Sequence, residues 1–208
     1  SPLGPPGIDE RAYLQLPPGL EPRLRSLAHQ ITAGLSRPQD KARALERYLQ
    51  TQFSYSTQLV PLSEAERSRH QDPVAAFLFE RKRGHCEYFA SALSLLLRAE
   101  GIPSRSVNGY LGGEWNEFGG YLVVRQQHAH SWVEAFLPLS GEASETSKAG
   151  LGAPLPSEPS DGGATAALPP LAWQTLDPTP LSALSPARFG FLQRARRTLG
   201  PGAMLLLG

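Results

Sequence analysis

The chain of 208 residues contains one cysteine, Cys86, and the sequence around it favours a reactive thiol. Cys86 follows Gly84 at the first turn of a predicted helix, where partial positive charge and unpartnered N–H groups favour a thiolate. The same N–H groups can hold an oxyanion. The alternative is a small core residue that packs beside Phe89 and Ala90. A single cysteine can form neither a disulfide within the chain nor a four-cysteine zinc site.

A nucleophilic thiol needs a base, and two histidines are candidates. His128 and His130 lie in the segment HAHSWVEAF, and residues two apart face the same side of a strand. Asp177 ends the segment WQTLD, where a carboxylate can orient an imidazole and stabilise its charged form. Taken alone, the histidine could be a hydrogen-bonded residue beside Trp132 and the aspartate a turn residue. The order of cysteine, histidine and aspartate on successive elements is more specific and indicates a triad.

A metal site is a competing interpretation of the same residues. Cys86, His128 and His130 could supply three ligands to a metal ion, because thiolate and imidazole are the ligands that zinc prefers.

The elements that must position these residues can be predicted from the spacing of apolar side chains. Helical spacing predicts helices from Pro22 to Gly34, from near Pro38, after Asp72–Pro73, and over residues 86–100. We expect a short extended segment over residues 53–56 and a polar loop over residues 60–71.

After residue 101 the spacing changes to alternation, which predicts strands. They are expected over residues 105–110, 121–125, 132–137 and 173–176, with a loop bracketed by Gly112–Gly113 and Gly119–Gly120. Helices followed by strands predict an α+β fold, with the N-terminal helices packed on an antiparallel sheet.

Composition divides the chain into three predicted regions. Residues 1–20 are proline-rich and predict an extended arm, residues 21–184 a single domain, and residues 185–208 a basic helical tail. Within the domain, residues 140–170 are rich in Ser, Gly, Ala and Pro. We expect them to form a long disordered insertion at the tip of a hairpin.

The overall charge and hydrophobicity exclude some classes of protein. The formal net charge of +1 argues against a nucleic-acid partner, which normally needs a clear basic excess. No stretch approaches the roughly 20 apolar residues of a membrane span and no signal peptide is recognisable, although the chain is compatible with a piece of a membrane protein. No apolar stripe is left once the core is assigned, so we expect a monomer.

Three segments resemble the motifs of the transglutaminase-like, papain-related superfamily: GHCEYFASAL, HAHSWVEAF and WQTLDPT. The stretch GYLGGEWNEFGGYLVVRQ resembles the bacterial TgpA-type branch, as does FSYS followed by DPVAAFLFERKRG. The resemblance covers roughly residues 50–180 apart from the insertion and implies a papain-like core. It also implies that Cys86 is the nucleophile, His130 the base, Asp177 the residue that orients His130, and Tyr55 a second oxyanion donor.

The resemblance also assigns supporting positions, and this chain departs from the pattern at two others. Trp132 and Glu134 are implied supports of the sheet around His130. The branch commonly has aspartate where this chain has His128, and often an aromatic residue where it has His85. We therefore expect two extra imidazoles near the thiol.

The chemistry that the resemblance implies is acyl transfer through a thioester, with no metal or organic cofactor. The thiolate attacks a glutamine carboxamide of a protein or peptide, and an amine such as lysine resolves the thioester. With water, the same triad would make a deamidase or protease. A non-catalytic module that binds an envelope peptide is the remaining alternative. The implied location is the periplasmic side of an inner membrane, through segments outside this chain.

Overall fold

The computed structural model describes residues 10–58, 61–69, 72–139, 170–180 and 183. Residues 1–9 of the predicted arm, residues 140–169 of the predicted insertion and the predicted tail over residues 185–208 lie outside the described residues. The division into arm, domain and tail therefore stays a prediction.

Helices dominate the first half of the chain and strands the second half. The described α-helices are α1 (Glu21–Ile31), α2 (Pro38–Gln52), α3 (Glu64–Arg69), α4 (Pro73–Ala76) and α5 (Cys86–Ala99). The described strands are β1 (Ser54–Tyr55), β2 (Arg83–Gly84), β3 (Ser104–Tyr110), β4 (Glu114–Asn116), β5 (Tyr121–Val123), β6 (Ala129–Pro138) and β7 (Leu171–Leu176). Short 3-10 helices cover Glu10–Leu14 and Gln126–His128, and a π-helical turn covers Phe77–Arg81.

Helix α5 lies at the centre of the core because its apolar residues recur at helical spacing. Its buried residues include Phe89, Ala90, Leu93, Leu96 and Leu97. Helices α1 and α2 pack against α5, while β6 and β3 contact it as well. A fully buried leucine stabilises the fold by roughly 1.5–3 kcal/mol relative to an exposed one, so this stripe fixes where α5 sits.

The main sheet is antiparallel and has β6 in the middle, in the order β3-β6-β7. Strand β6 pairs with β3 from Tyr110–Ala129 to Ser104–Ala135, and with β7 from Val133–Leu176 to Pro138–Leu171. Val133, Ala135 and Leu137 of β6 alternate into the core, as a half-buried strand requires. Strands β6 and β7 are thus adjacent where residues 140–169 leave and return.

A second, two-stranded sheet fixes the start of α5. Strands β1 and β2 are parallel, with Ser54 opposite Arg83 and Tyr55 opposite Gly84. The N–H of Ser56 donates to the carbonyl of Gly84 at 2.8 Å. The chain is therefore held in an extended form until it turns into α5 at Cys86.

The structure confirms the α+β fold, with N-terminal helices against an antiparallel sheet and a helix that begins at Cys86. The expected helix start after Asp72 is also present, because the Asp72 carboxylate accepts the N–H groups of Val74 and Ala75. The expected pairing of the strands that flank the insertion is present in β6 and β7.

Three local predictions were wrong. The polar loop predicted over residues 60–71 contains α3, which begins with a Ser63–Glu66 capping box. The loop between the glycine pairs contains β4, which pairs with β5 in a hairpin. Residues 10–14 of the predicted extended arm form a 3-10 helix instead, and the Tyr13 ring packs edge-on against Trp173 at 5.1 Å.

Candidate active site

Cys86 is the first residue of α5 and is half-buried. The residue before it, His85, has extended backbone angles and makes no side-chain cap, so the N-terminal N–H groups of α5 are not covered by it. The carbonyl of His85 accepts the N–H groups of Tyr88 and Phe89, the first intrahelical bonds. The N–H groups of the first turn, including that of Cys86, therefore point out of the helix end beside the sulfur.

His130 lies on β6, and its side chain is only 2% exposed. Its Nε2 is 2.7 Å from Oδ2 of Asp177, which directly follows β7. The other ring nitrogen, Nδ1, is left for the hydrogen bond between His130 and Cys86. The three residues of the predicted triad thus converge, with the imidazole between thiol and carboxylate.

The electrostatics of this group favour charge separation. Burial alone would raise the pKa of the Cys86 thiol, but the hydrogen bonds from His130 and the Ser131 N–H lower it. Burial alone would lower the pKa of His130, but its bonds with Asp177 and Cys86 raise it to about 9. Both shifts therefore favour the thiolate–imidazolium pair over the neutral thiol and imidazole.

Asp177 is kept ionised by its neighbours. Burial alone would raise the pKa of Asp177, but the hydrogen bond with His130 and the charge of that ring lower it. The N–H of Thr179 also donates to Asp177 Oδ1 at 3.0 Å. A carboxylate in this state holds the Nε2–H tautomer of His130 and stabilises its imidazolium form.

Helix α2 fixes the backbone of Asp177 through two side chains one turn apart. Glu46 Oε1 accepts the Asp177 N–H at 2.8 Å, and Gln50 Nε2 donates to the Asp177 carbonyl at 2.7 Å. Arg43 donates to the other carboxylate oxygen of Glu46 at 2.9 Å. Residues 46 and 50 lie on the same side of a helix, so α2 binds both the N–H and the carbonyl of Asp177. We call Glu46 and Gln50 the α2 clamp.

Ser131, the residue after His130, also helps to lower the pKa of the Cys86 thiol, mainly through its backbone N–H. Its hydroxyl donates to Asn108 Oδ1 at 2.7 Å. Leu111 N–H donates to His128 O, so by the alternation of an antiparallel ladder Asn108 and Ser131 are a non-hydrogen-bonded pair. The N–H of Ser131 then points away from β3, toward the side where β7 has already ended at Leu176. That free direction lets the N–H reach the sulfur.

Trp132 lies beside the imidazole along β6. The two rings are 6.4 Å apart and nearly parallel. Gly109 is opposite His130 in the sheet, and a Cβ atom there would lie 2.7 Å from the Trp132 ring. The absence of a side chain at residue 109 therefore makes room for the indole.

Glu134 is placed further along β6 and binds across the sheet. It is opposite Arg105 on β3, and Arg105 Nε donates to it at 2.7 Å. The Arg105 guanidinium also lies over the Trp173 ring at 4.4 Å. These contacts link all three strands of the main sheet.

His128 is not on the strand with His130, contrary to the prediction. It ends the 3-10 helix Gln126–His128, and its Nδ1 accepts the N–H of Arg125 at 2.9 Å. The side chain is buried and closes this turn. The expectation that the two histidines share one side of a strand fails because the strand begins only at Ala129. Within the described ranges, no group of three or more His, Cys, Asp or Glu side chains could hold a metal ion.

Two further residues lie close to the start of α5: Tyr55, on the strand paired with β2, and His85, directly before Cys86. Tyr55 lies opposite Gly84, and its ring is 6.3 Å from that of Phe89. The ring of His85 is 5.0 Å from Tyr88. The role of Tyr55 as second oxyanion donor stays a prediction.

Sequence reasoning did not find Ser131, Asn108 or the α2 clamp. The first two become partners only through the register of β3 against β6, which the sequence does not specify locally. A polar pair at positions 46 and 50 of a helix with Ala42, Leu45 and Leu49 on its buried side was a usable signal, because Glu46 borders that apolar stripe.

Comparison with known proteins identifies the family. A family model described as the transglutaminase-like superfamily matches residues 25–149, more than half of the chain. The chain therefore belongs to the transglutaminase-like superfamily. Asp177 lies beyond the matched residues, after the insertion.

Two relatives are similar to part of this chain. One is the uncharacterized protein YebA of Bacillus subtilis, 41% identical over 134 residues, and the other is a protein-glutamine gamma-glutamyltransferase of Pseudomonas aeruginosa, 41% identical over 129 residues. Each match covers 62% of this chain and 18% of the relative. The chain thus spans about a fifth of the length of these relatives.

Solved structures agree with the fold. The crystal structure of the periplasmic domain of TgpA from Pseudomonas aeruginosa superposes with a TM-score of 0.62 and 30% identity, over 90% of this chain and 53% of that chain. A second structure of that domain, bound to ethylmercury, gives a TM-score of 0.53 and 39% identity, over 62% of this chain and 45% of that chain.

Proposed function

We propose that this domain catalyses acyl transfer from glutamine side chains of proteins or peptides, through a thioester on Cys86. The observation that supports this most is the hydrogen-bonded series Cys86, His130 and Asp177, with a 2.7 Å bond between the last two. It provides a thiolate nucleophile, a proton donor for the leaving group and a carboxylate that stabilises the donor.

In the first half-reaction, the thiolate attacks the carboxamide carbon and the carbonyl oxygen becomes an oxyanion. The N–H of Cys86 at the start of α5 is the proposed donor to that oxyanion, with Tyr55 as the second candidate. The His130 imidazolium gives its proton to the leaving nitrogen, so ammonia departs and a thioester remains. The imidazole is then neutral.

In the second half-reaction, a primary amine attacks the thioester carbon. The neutral imidazole of His130 takes the amine proton, and the Cys86 thiolate leaves, which restores the original ion pair. Water in place of the amine gives deamidation, or proteolysis if the first step cleaves a peptide bond. The similarity to a protein-glutamine gamma-glutamyltransferase supports transfer to an amine as the main reaction.

The test compares amine incorporation with ammonia release. A fluorescent primary amine and a glutamine-rich protein such as casein are incubated with the domain, and labelled protein and ammonia are both measured. Cys86→Ala and His130→Ala should abolish labelling, while His29→Ala, which removes an exposed histidine of α1, should not. If ammonia is released but no protein is labelled in the presence of the amine, the enzyme is a deamidase. Neither product with any of several glutamine donors would leave the binding module as the better proposal.

We also propose that the domain lies on the periplasmic side of an inner membrane. The similarity to the periplasmic domain of TgpA supports this location. Among the described residues, no helix combines the length and the apolar composition of a membrane span. Protease added to intact spheroplasts that make the full protein should digest this domain. Digestion only after lysis would place the domain on the cytoplasmic side instead.

A further inference from the structure

Strand β3 is an edge strand of the main sheet, and the direction of its backbone groups follows from the register. Phe136 N–H donates to the Pro103 carbonyl at 2.8 Å, and Leu111 N–H donates to the His128 carbonyl at 2.8 Å. In an antiparallel ladder, such hydrogen-bonded pairs alternate with pairs that do not bond each other. The odd-numbered residues of β3 therefore bond β6, while the N–H and carbonyl groups of the even-numbered residues point away from the sheet.

The outward groups have no partner along most of the strand. The Ser104 carbonyl is covered, because the Arg98 guanidinium donates to it at 2.9 Å. The backbone groups of Ser106, Asn108 and Tyr110 make no hydrogen bond with any residue that the structure describes, and all three residues are exposed. Each offers one donor and one acceptor, which is the pattern that an added strand requires. We call Ser106–Tyr110 the open edge.

The open edge lacks the features that commonly protect an edge strand. Such strands carry lysine or proline, a β-bulge or an inward-pointing charge, or lie under another element. Residues 106–110, SVNGY, contain neither a charge nor a proline, and their pairing with β6 has no bulge. The charged residue of β3, Arg105, is bound to Glu134 at 2.6 Å. The open edge is therefore suited to pair with a further strand.

The open edge lies beside the start of α5. Ser104 Oγ donates to the Ser94 carbonyl of α5 at 2.9 Å, which fixes one point of contact between the helix and the strand. Cys86 is eight residues before Ser94, about 12 Å along the helix, and Asn108 is four residues after Ser104, about 13 Å along the strand. The helix and the strand run in opposite directions, because β3 proceeds from this contact toward the strand position opposite His130. Cys86 is therefore nearest to the open edge around Asn108.

The side chains of the open edge lie on the face of the sheet that α5 covers. Ser104 is opposite Ala135, which is buried in the core against α5, and alternation puts residues 106, 108 and 110 on the same face. An added strand continues this alternation, so every second side chain of its occupant points to the face where Cys86 lies.

An exposed aromatic surface continues from the same end of β3. Seven large hydrophobic side chains are exposed among the described residues, and five of them lie between residues 110 and 124: Tyr110, Trp115, Phe118, Tyr121 and Val124. Exposed apolar groups that cluster in this way mark interaction sites, and tyrosine and tryptophan contribute much of the binding energy at interfaces. Because the β4–β5 hairpin follows β3 directly, a polypeptide that lies along the open edge reaches these rings.

We propose that the open edge binds an extended segment of the glutamine-bearing polypeptide as an added strand, with Tyr110 and the β4–β5 hairpin contacting the residues that flank the glutamine. This inference rests on the proposed function, because it describes how the donor polypeptide is held. Main-chain hydrogen bonds supply affinity in this mode of binding, and the alternate side chains supply specificity. A second copy of the domain on this edge would obstruct the approach to Cys86 from β3, which favours the substrate as the occupant.

A proline in the open edge tests the proposal. Ser106→Pro removes the outward N–H and puts a ring in its place, while the bonds of Arg105 and Val107 with β6 remain, because proline is tolerated where the N–H faces solvent. Ser106→Ala keeps the N–H and is the matched control. Both changes are made in Cys86→Ala, which cannot react, and binding of fluorescein-labelled casein is measured by fluorescence polarisation. We expect Ser106→Pro to weaken binding by about tenfold and Ser106→Ala to leave it unchanged.

Hydrogen exchange of the Cys86→Ala domain, measured by NMR, locates the occupant without any change in β3. In the free domain the amides of Ser106, Asn108 and Tyr110 should exchange fast and those of Val107 and Gly109 slowly, since only the latter two bond β6. Saturating casein should slow exchange of the first three amides by at least tenfold.

Three results would overturn the proposal. One is equal binding of casein by Ser106→Pro and Ser106→Ala, and another is exchange at the three outward amides that casein does not slow, whether casein binds elsewhere or not at all. The third is slow exchange without casein that depends on the concentration of the domain, which would assign the open edge to a second copy. Circular dichroism checks the folding of Ser106→Pro, and if that variant is unfolded, the exchange measurement decides alone. Failure of amine transfer with casein bound at the open edge would count against the proposed function and not against the added strand.

Discussion

At the scale of single residues, we expect the proton shared by Cys86 and His130 to decide the reactivity of the Cys86 thiol. The Cys86 pKa is lowered and the His130 pKa is raised to about 9, so both shifts favour a thiolate beside an imidazolium. Only the thiolate is alkylated, so the wild type should react with iodoacetamide well below the ordinary pKa of a thiol. In His130→Ala the remaining burial raises the thiol pKa, and we expect the rate near pH 6 to fall by at least tenfold.

The control for that experiment is an imidazole outside the site. His29→Ala should leave the alkylation profile unchanged, since His29 is exposed on α1. A profile that is the same in His130→Ala and in the wild type would show that the helix end alone lowers the thiol pKa.

The same ion pair predicts an unusual dependence of stability on pH. The His130 pKa rises from 6.5 in the unfolded chain to about 9, so its contribution is complete below pH 6.5 and is lost as pH rises through 9. The Cys86 pKa is lowered, so its contribution has the opposite sign: it is present above the unfolded pKa and is lost as pH falls through the folded pKa. In the wild type the two contributions to stability therefore have opposite slopes with pH.

Without the thiol, the effect of His130 on the pH dependence of folding stability should become measurable. In Cys86→Ala, Asp177 still raises the His130 pKa, so the free energy of unfolding should fall by on the order of 1 kcal/mol as pH rises above 6.5. Urea titrations at several pH values measure this slope. The variant Cys86→Ala/His130→Gln should lose it, and a slope that persists in the double variant would assign it to other groups.

At the scale of elements, the α2 clamp determines where Asp177 sits. Gln50→Leu removes the donor to the Asp177 carbonyl, so the carboxylate should move relative to Nε2 of His130. We expect the His130 pKa, measured by NMR, to fall toward 6.5, and kcat/KM for amine transfer to fall by about 10- to 100-fold. Glu46→Gln keeps an oxygen for the Asp177 N–H and should have the smaller effect.

A matched control for the clamp lies on the same helix. Gln39 Nε2 donates to the Pro138 carbonyl at 3.0 Å, which is the same type of bond at the far end of β6. Gln39→Leu should cost similar stability without a change in the His130 pKa. If both variants lower that pKa equally, the clamp has no specific role in positioning Asp177.

The close approach of Gly109 to Trp132 gives a second prediction for an element. Gly109→Ala places a Cβ atom 2.7 Å from the far edge of the indole, in a strand that is held by β6. We expect a loss of roughly 1–3 kcal/mol in the free energy of unfolding, measured with urea. Trp132→Phe, which lacks those ring atoms, should recover part of the loss in the double variant. Gly19→Ala, with no atom within 4 Å of its new Cβ, is the control and should cost little.

How much of the fold the sequence predicts differs between elements, and the reason is physical. Helices α1, α2 and α5 follow from apolar spacing, because each buries one continuous stripe. Helix α3 buries no residue and is stabilised by a local capping box, so the spacing of apolar residues does not predict it. Strand β4 is short and mostly exposed, and its pairing with β5 depends on the turn between them.

The candidate site shows the same division. Cys86, His130 and Asp177 are recognisable because their motifs are local and chemically distinctive. The placement of His128 was mistaken because the 3-10 turn before β6 shifts the start of the strand by one residue past it. The α2 clamp and the Asn108–Ser131 pair join segments that are far apart in sequence, and only the assembled fold brings them together.

At the scale of the whole molecule, the site lies where the helical layer meets one end of the main sheet. Helix α5 supplies Cys86 and β6 supplies His130. Asp177 follows the end of β7 and is held by hydrogen bonds from α2. No two of these elements form a complete site alone. The geometry of the triad therefore depends on the packing of the core, and core variants should reduce activity together with stability.

The predicted insertion joins β6 and β7 at the end of the sheet that lies far from His130. Leu139 N–H donates to the Pro170 carbonyl at 2.7 Å, and Pro138 pairs with Leu171, so the two strands already meet at the point of insertion. His130 is eight positions before Pro138 on β6, which at about 3.3 Å per residue is on the order of 26 Å away. The two residues that flank this segment, Leu139 and Pro170, are thus remote from the active-site end of β6.

We expect that residues 140–169 can be replaced by Asn-Gly without loss of the active site. That dipeptide favours the two-residue turn that joins antiparallel strands. A shorter loop costs less closure entropy, so the free energy of unfolding should rise by up to about 2 kcal/mol. The alkylation profile of Cys86 should be unchanged, since none of its hydrogen-bond partners is removed. If the thiol pKa stays the same while kcat/KM for a protein substrate falls, the segment contributes to substrate binding; if the thiol pKa itself rises, the independence of the site from that end of the sheet is disproved.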